Sequence, residues 1–337
     1  MAIYSCFLGK NLKHLKIRLH DIKLATHNFS DKYKTESNGH TTWYTTELSH
    51  FNKEKPSLVV IKHFLPGEKD DEEELFLTEL EMLTSVKHHN IVTLIGFCVE
   101  GFDMMLVIEK FSNGFLRDYL GNVKNMRTLT WEKRLKICID VAQALNYLHS
   151  EMEDKKIIIH TTLHNSSLGL DENWGAKIED FQWAIFLPPN NKDGAMSKIT
   201  YSNHSYYMDP EYAKTGMLKR ESDVYSFGVI LFEILCGRHA DDQIYLNGSE
   251  KGLIHVARRK FHTGKIEDMI DPTLKEEIGR KSYVPNRGAT KDSFYTFLEV
   301  AHQCVAEVQD QRPTMKVVLK ELQKALFLQV SQLYILS

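Results

Sequence analysis

An α+β fold in two unequal lobes, strands first and helices after, is what this sequence predicts, on three observations. β-Branched runs bounded by turn residues crowd the stretch before residue 110, helical periodicity dominates from Trp131 onward, and 337 residues suffice for one two-lobed domain with a substantial core. The order of the elements follows from local chemistry. Ser57 to Phe64, between Pro56 and Pro66-Gly67, reads as a strand. From Asp71 to Val86, Leu75, Leu80, Leu83 and Val86 fall near one helical face behind an acidic first turn, and this helix carries Glu79. Strand signals return at Ile91 to Cys98 and Met104 to Ile108, and Asn113-Gly114 marks a turn. Helices then follow at Trp131 to His149, Asp223 to Leu235, Phe294 to Val305 and Thr314 to Val330. There is no internal repeat and no low-complexity tract.

Composition excludes several classes. Net charge is −3 with acids and bases interspersed, so no basic face announces nucleic acid. The five cysteines, Cys6, Cys98, Cys138, Cys236 and Cys304, show neither metal spacing nor a close pair, and read as reduced thiols. No apolar run reaches the roughly 18 residues needed to cross a bilayer. Met1 to Leu8 is too short for a signal peptide, and Ala2 excludes N-myristoylation. Cys6 beside Lys10, Lys13 and Lys16 leaves palmitoylation as an alternative to a plain thiol.

The motifs carry the functional reading. Ile158-Ile159-His160-Thr161-Thr162-Leu163-His164-Asn165-Ser166-Ser167 has the frame of H-R-D-L-x-x-x-N, and Glu179-Asp180-Phe181-Gln182 sits where D-F-G should follow. Then come Met208-Asp209-Pro210-Glu211-Tyr212, Ser222-Asp223-Val224-Tyr225-Ser226-Phe227-Gly228 and Asp310-Gln311-Arg312-Pro313. In order and spacing these blocks resemble protein kinases. With Leu24-Ala25-Thr26-His27-Asn28-Phe29-Ser30 ahead of them, they look most like plant receptor-like kinases, of the receptor-like cytoplasmic type or a severed intracellular half. The resemblance covers nearly the whole chain and implies a bilobal protein-kinase-like fold. Its expected divisions are an extension over 1–28, a small lobe over 29–110, a large lobe over 111–330 and a tail over 331–337.

What the resemblance implies for the site is a frame with its chemistry removed. Lys62, in the strand place of V-A-I-K, would grip nucleotide phosphates with Glu79 steadying it, Asp180 would bring the metal, and Ile108, Glu109 and Phe111 would meet the base. The phosphate-binding turn G-x-G-x-x-G-x-V becomes Glu36-Ser37-Asn38-Gly39-His40-Thr41-Thr42-Trp43, keeping only an intermediate glycine. Trp43 and Val60 stand where smaller residues line the adenine slot, and Gly169 replaces a leucine on its floor. Trp43 is expected to plug the slot with Gly169 making room, the alternative being an indole turned outward.

Thr162 replaces the Asp that takes the substrate proton and has no basic form near neutral pH. Thr161 replaces the Arg that receives activation-loop phosphates, so modification of Ser197, Thr200, Tyr201 or Ser202 would lack its usual receiver. His164 replaces a Lys, and Ser167 a metal-binding Asn. The substrate-docking run reads Asn203-His204-Ser205-Tyr206-Tyr207 instead of G-T-x-G-Y. His160 is expected in a hydrophobic column with Leu83, Leu94, Phe181 and Asp223. Glu211 and Arg312 are expected as the buried pair closing the large lobe, with Asp223 holding the catalytic-loop backbone.

Three functions stay open: a pseudokinase scaffold or allosteric partner in plant receptor-kinase signalling, a weakly active ATP-dependent serine/threonine or tyrosine kinase, and a nucleotide-binding switch without turnover. The first requires no cofactor; ATP and magnesium, at Asp180, belong to the others. Partners are other proteins, receptor-like kinases foremost, in the cytoplasm or held at the inner face of the plasma membrane.

Overall fold

A computed structural model of the chain describes residues 12–38, 40–49, 56–65, 71–152, 156–188, 191, 194–197, 205–246, 252–279 and 289–335. It divides into two compact units, one of residues 1–87 and 92–110 and one of 88–91 and 111–337.

The first unit is built on a five-stranded antiparallel sheet ordered β1-β2-β3-β5-β4, from β1 (Lys34–Ser37), β2 (Thr41–Leu48), β3 (Ser57–Phe64), β4 (Leu94–Glu100) and β5 (Asp103–Glu109). Alternation along β3 decides the use of its two faces. Val59 and Ile61 enter an apolar cluster with Tyr44, Cys98, Met105 and Val107, and Ile17 and Ile22 cover that cluster from the N-terminal side. Ile22 lies on helix α1 (Leu19–Ala25), and Ile17 is tied down by its amide, which donates to the Phe97 carbonyl at 2.8 Å. A Cβ at Gly96 would overlap Ile17 and the Leu15 carbonyl, so glycine permits this close approach. The intervening residues Val60, Lys62 and Phe64 face the other way, where Phe64 packs edge-on against Phe76 of helix α2 (Asp71–Ser85), ring centroids 5.5 Å apart.

The second unit is helical. Helix α3 (Trp131–Asn146) starts at Thr130, whose side chain accepts from the Lys133 amide, and buries Trp131 with its indole N–H donating to Ser293 at 2.9 Å. Short strands β6 (Ile157–Ile159), β7 (Leu168–Leu170), β8 (Ala176–Ile178) and β9 (Ile185–Leu187) pair as β6 with β9 and β7 with β8, which fixes the loops between them. β10 (Ala195–Met196) pairs with β11 (Met217–Leu218) around helix α4 (Pro210–Thr215). Helix α5 (Arg220–Cys236) is apolar nearly all round and correspondingly buried along its length. Helices α6 (Leu253–His262), α7 (Pro272–Gly279), α8 (Lys291–Cys304) and α9 (Met315–Ile335) follow it. Among the described residues no helix is long and apolar enough to cross a membrane. Cys6, the Gly39 of the phosphate turn, and Thr200 to His204 lie outside the described residues.

One expected pair is corrected. Arg312 closes on Asp209, not Glu211: its Nη2 donates to Asp209 Oδ1 at 2.7 Å, with both side chains at most 1% exposed. Asp209 caps α4, accepting from the Glu211 amide, with Pro210 as the first helical residue. The cap position carries its carboxylate into the core. Glu211 is displaced to the half-buried rim, where Oε2 accepts the Gln309 amide at 2.6 Å. Burial pushes the Asp209 carboxyl up, but hydrogen bonds and charge from Arg312, with Gln309 and Ser222, outweigh it and hold the group below the usual aspartate range.

Candidate active site

In the small unit, Lys62 Nζ meets Glu79 Oε2 at 2.6 Å, both side chains 3% exposed. Trp43 lies directly opposite Lys62 on β2 and so shares its face of the sheet. Its ring centroid is 5.8 Å from the ammonium, and that of Phe64 is 5.3 Å away. Two aromatic rings and one carboxylate therefore lie beside this ammonium. The indole stands beside Lys62 and is half-buried. Val60 and Ile108 lie opposite each other on the same sheet, Ile108 buried, and Glu109 Oε1 accepts the Thr93 amide at 2.7 Å.

The phosphate turn is closed by its own side chain. Asn38 Oδ1 accepts the amides of His40 at 3.1 Å and Thr41 at 2.8 Å, and the Asn38 amide donates to the Thr41 carbonyl. These are amides of the kind a glycine-rich turn aims at phosphate oxygens. His40 Nδ1 pairs with Glu72 Oε1 at 2.8 Å, tying the turn to the start of α2. Sequence reasoning counted the missing glycines and overlooked Asn38, although an Asn in a tight turn signals such an Asx bond.

In the large unit, His160 and Thr161 donate their amides to the two oxygens of Asp223, each at 2.9 Å, and His149 Nε2 joins Asp223 Oδ2 at 2.8 Å. The catalytic-loop backbone is thus held as expected of Asp223. Thr161 has φ 72° and Asp180 φ 69°, a region that β-branched residues rarely enter, and Thr161 Oγ1 secures its place by donating to the Trp183 carbonyl at 2.9 Å. His160 stacks obliquely on Phe181, centroids 4.7 Å apart, and its Nε2 donates to the Glu179 carbonyl at 3.0 Å. That hydrogen bond and the packing commit the ring to structure.

The replaced chemical groups are also occupied or sealed. The Thr162 hydroxyl is buried without a hydrogen-bond partner among the described residues. Ser167, fully buried, donates its hydroxyl to the His164 carbonyl at 2.8 Å and accepts the His164 amide at 3.1 Å. His164, also buried, uses Nδ1 to accept the Ser166 amide at 3.1 Å. Both side chains are thus held by hydrogen bonds within the loop itself.

A second correction concerns the floor. The space left by Gly169 is taken by Phe111: a Cβ at 169 would overlap the Phe111 ring, which is itself buried and packs edge-on against Phe115. Phe111, expected to meet a nucleotide base, instead fills the gap beside β7. Gly169→Leu is expected to destabilise the large unit by about 1–3 kcal/mol through overpacking. Urea denaturation would check it, and Gly169→Leu/Phe111→Ala should recover much of the loss. The same unit holds a buried group that the sequence did not reveal. Glu233 Oε1 accepts from Tyr207 Oη at 2.6 Å and Asn165 Nδ2 at 2.9 Å, and burial pushes the carboxyl up to about 8.

The strand lysine with its helix glutamate in one unit, and the aspartate-anchored loop with the buried Asp209–Arg312 pair in the other, agree with the family comparison. A family model described as protein tyrosine and serine/threonine kinase matches residues 37–322. The chain belongs to the protein kinase family. Its kinase domain is 36% identical over 314 residues to receptor-like protein kinase ANXUR2 of Arabidopsis thaliana, covering 93% of this chain and 34% of that protein. It is 34% identical over 329 residues to receptor-like protein kinase FERONIA of the same plant, covering 97% of this chain and 34% of that protein. HERK 1, also a receptor-like protein kinase of that plant, is 34% identical over 308 residues, 91% of this chain and 34% of its own length. The chain thus spans about a third of the length of these relatives.

Proposed function

We propose that this kinase-fold chain does not transfer phosphate and acts as a scaffold or allosteric partner in plant receptor-kinase signalling. The observation that carries the reading is the Asn38 side chain bonded to the His40 and Thr41 amides, which closes the turn that would cradle a triphosphate. The absence of a base at Thr162 supports it independently, since general-base catalysis contributes about 10²–10⁴-fold where it operates. The partners that fit are receptor-like kinases, because the chain's relatives carry that name and its own frame is intact. The place of action under this reading is the cytoplasm, or the inner face of the plasma membrane through such a partner.

The test is a pair of measurements on the purified chain. Transfer of labelled phosphate with magnesium, then manganese, is expected to be undetectable, and saturating ATP is expected to leave the melting temperature unchanged. Autophosphorylation abolished by Lys62→Ala or Asp180→Ala would establish a weakly active kinase instead. A rise in melting temperature without transfer would establish a nucleotide-binding switch, since a ligand at 100 times its Kd adds about 2.7 kcal/mol.

A further inference from the structure

At the tip of the β4–β5 hairpin, the small unit carries an open cavity of ≈ 560 Å³ lined by Leu19, His63, Leu65, Glu100, Phe102 and Asp103. Two of its lining side chains are carboxylates. Glu100 and Asp103 face each other across the two-residue turn, and like charges so placed repel. Each spends one oxygen on a neutral donor: Glu100 Oε1 accepts the Leu19 amide at 3.2 Å, and Asp103 Oδ1 accepts from His63 Nε2 at 3.0 Å. The second oxygen of each has no partner among the described residues.

His63 is 7% exposed, and with Nε2 donating to Asp103 its Nδ1 is an acceptor, buried without a partner among the described residues. Burial lowers the His63 pKa against the opposing pull of Asp103, so the ring supplies no compensating charge at neutral pH. Arg18, the adjacent cation in sequence, is committed to Asp21 through two bonds of 2.9 and 2.8 Å. Around these acceptors stand apolar walls, and the Phe102 side chain at the turn is 85% exposed.

We infer that this cavity is a docking site for an arginine side chain presented by a protein partner, with an apolar neighbour of that arginine resting on Leu19 and Leu65. A guanidinium brings donors in a planar fork that two facing carboxylates can share, and its flat face stacks on an exposed phenyl ring. An ammonium would satisfy the charge but neither the fork nor the stacking. A neutral ligand would leave the repulsion between Glu100 and Asp103 in place. The exposed Phe102 at the rim calls for a covering surface, which a peptide chain provides and a free small amine does not. The site lies within the small unit and stands whether or not the chain transfers phosphate.

The test uses the full chain with ¹³C-labelled leucine methyl groups, titrated with acetyl-Leu-Arg-Leu-amide. Saturable shifts are expected at the Leu19 and Leu65 methyls, weakening as salt is raised. The matching citrulline peptide, neutral but of the same shape, should bind at least about tenfold more weakly, as loss of a charged hydrogen-bond pair implies. Glu100→Gln/Asp103→Asn should weaken the arginine peptide similarly, and Phe102→Ala, at an exposed position that leaves the fold undisturbed, should weaken it too. Absence of saturable shifts at these two leucines, equal binding of the citrulline peptide, or indifference to both variants would overturn the inference.

Discussion

Arg312→Leu is expected to lower the stability of the large unit by about 3–5 kcal/mol, the range for breaking a buried ion pair by removing one partner. The arginine donates to Asp209 and to the carbonyls of Ala306 and Glu221, at 2.7, 2.8 and 2.9 Å. A leucine would strand the Asp209 carboxylate with only the Ser222 hydroxyl, the Gln309 amide group and the Glu211 N–H. Glu211→Ala, at a half-buried residue that accepts one amide, should lose only about 1 kcal/mol. Equal losses for Arg312→Leu and Glu211→Ala in urea denaturation would contradict the Asp209 assignment.

The same pair sets an acid limit. The Asp209 pKa is lowered in the folded state, so its contribution is complete above the unfolded aspartate value of about 3.9 and is lost as pH falls through the lower folded value. In Arg312→Leu that part of the acid-side loss should shrink.

Glu79→Ala is expected to have a comparable effect on the small unit, about 3–5 kcal/mol, because it removes a carboxylate 2.6 Å from a buried ammonium. Replacing both partners, Lys62→Met with Glu79→Leu, should return most of that stability, since buried ion pairs exchanged for well-packed apolar residues are often neutral. The double variant also separates two meanings of the pair. A structural pair gives a stable protein with every binding property retained, measured by denaturation and by capture of the chain's partner. If instead the double variant removed a phosphotransfer activity measurable in the unaltered chain, the scaffold reading would fail.

Legibility differed between frame and chemistry for physical reasons. Strands β3 to β5 and helices α2, α3, α8 and α9 were readable because burial of one face writes a period of 2 or 3.6 into the sequence, and α5 because its apolar run is too long for a strand. Asp223 was readable because its motif fixes it at the start of a helix whose neighbours are apolar. The partner of Arg312 was misjudged since Asp209 and Glu211 are two residues apart with the same charge. The cap that turns Asp209 inward is a feature of backbone direction, though Asp before Pro at a helix start gave a usable hint. Phe111 and Gly169 are 58 positions apart, and nothing local to either says that one ring fills the other's missing side chain.

By itself, then, the sequence determined the class of fold, the order of its elements and the residue types at the motif positions, Thr162 and the glycine-poor turn among them, because residue identity alone decides whether a base or a flexible glycine is present. Only the tertiary structure decided which groups meet: Asn38 on the turn amides, Ser167 on the His164 backbone, Phe111 beside Gly169, and Asp209 on Arg312. Hydrogen bonds and packing are satisfied by whichever group the fold brings within about 3 Å, and that choice is made by chain direction and burial across distances that no local pattern records.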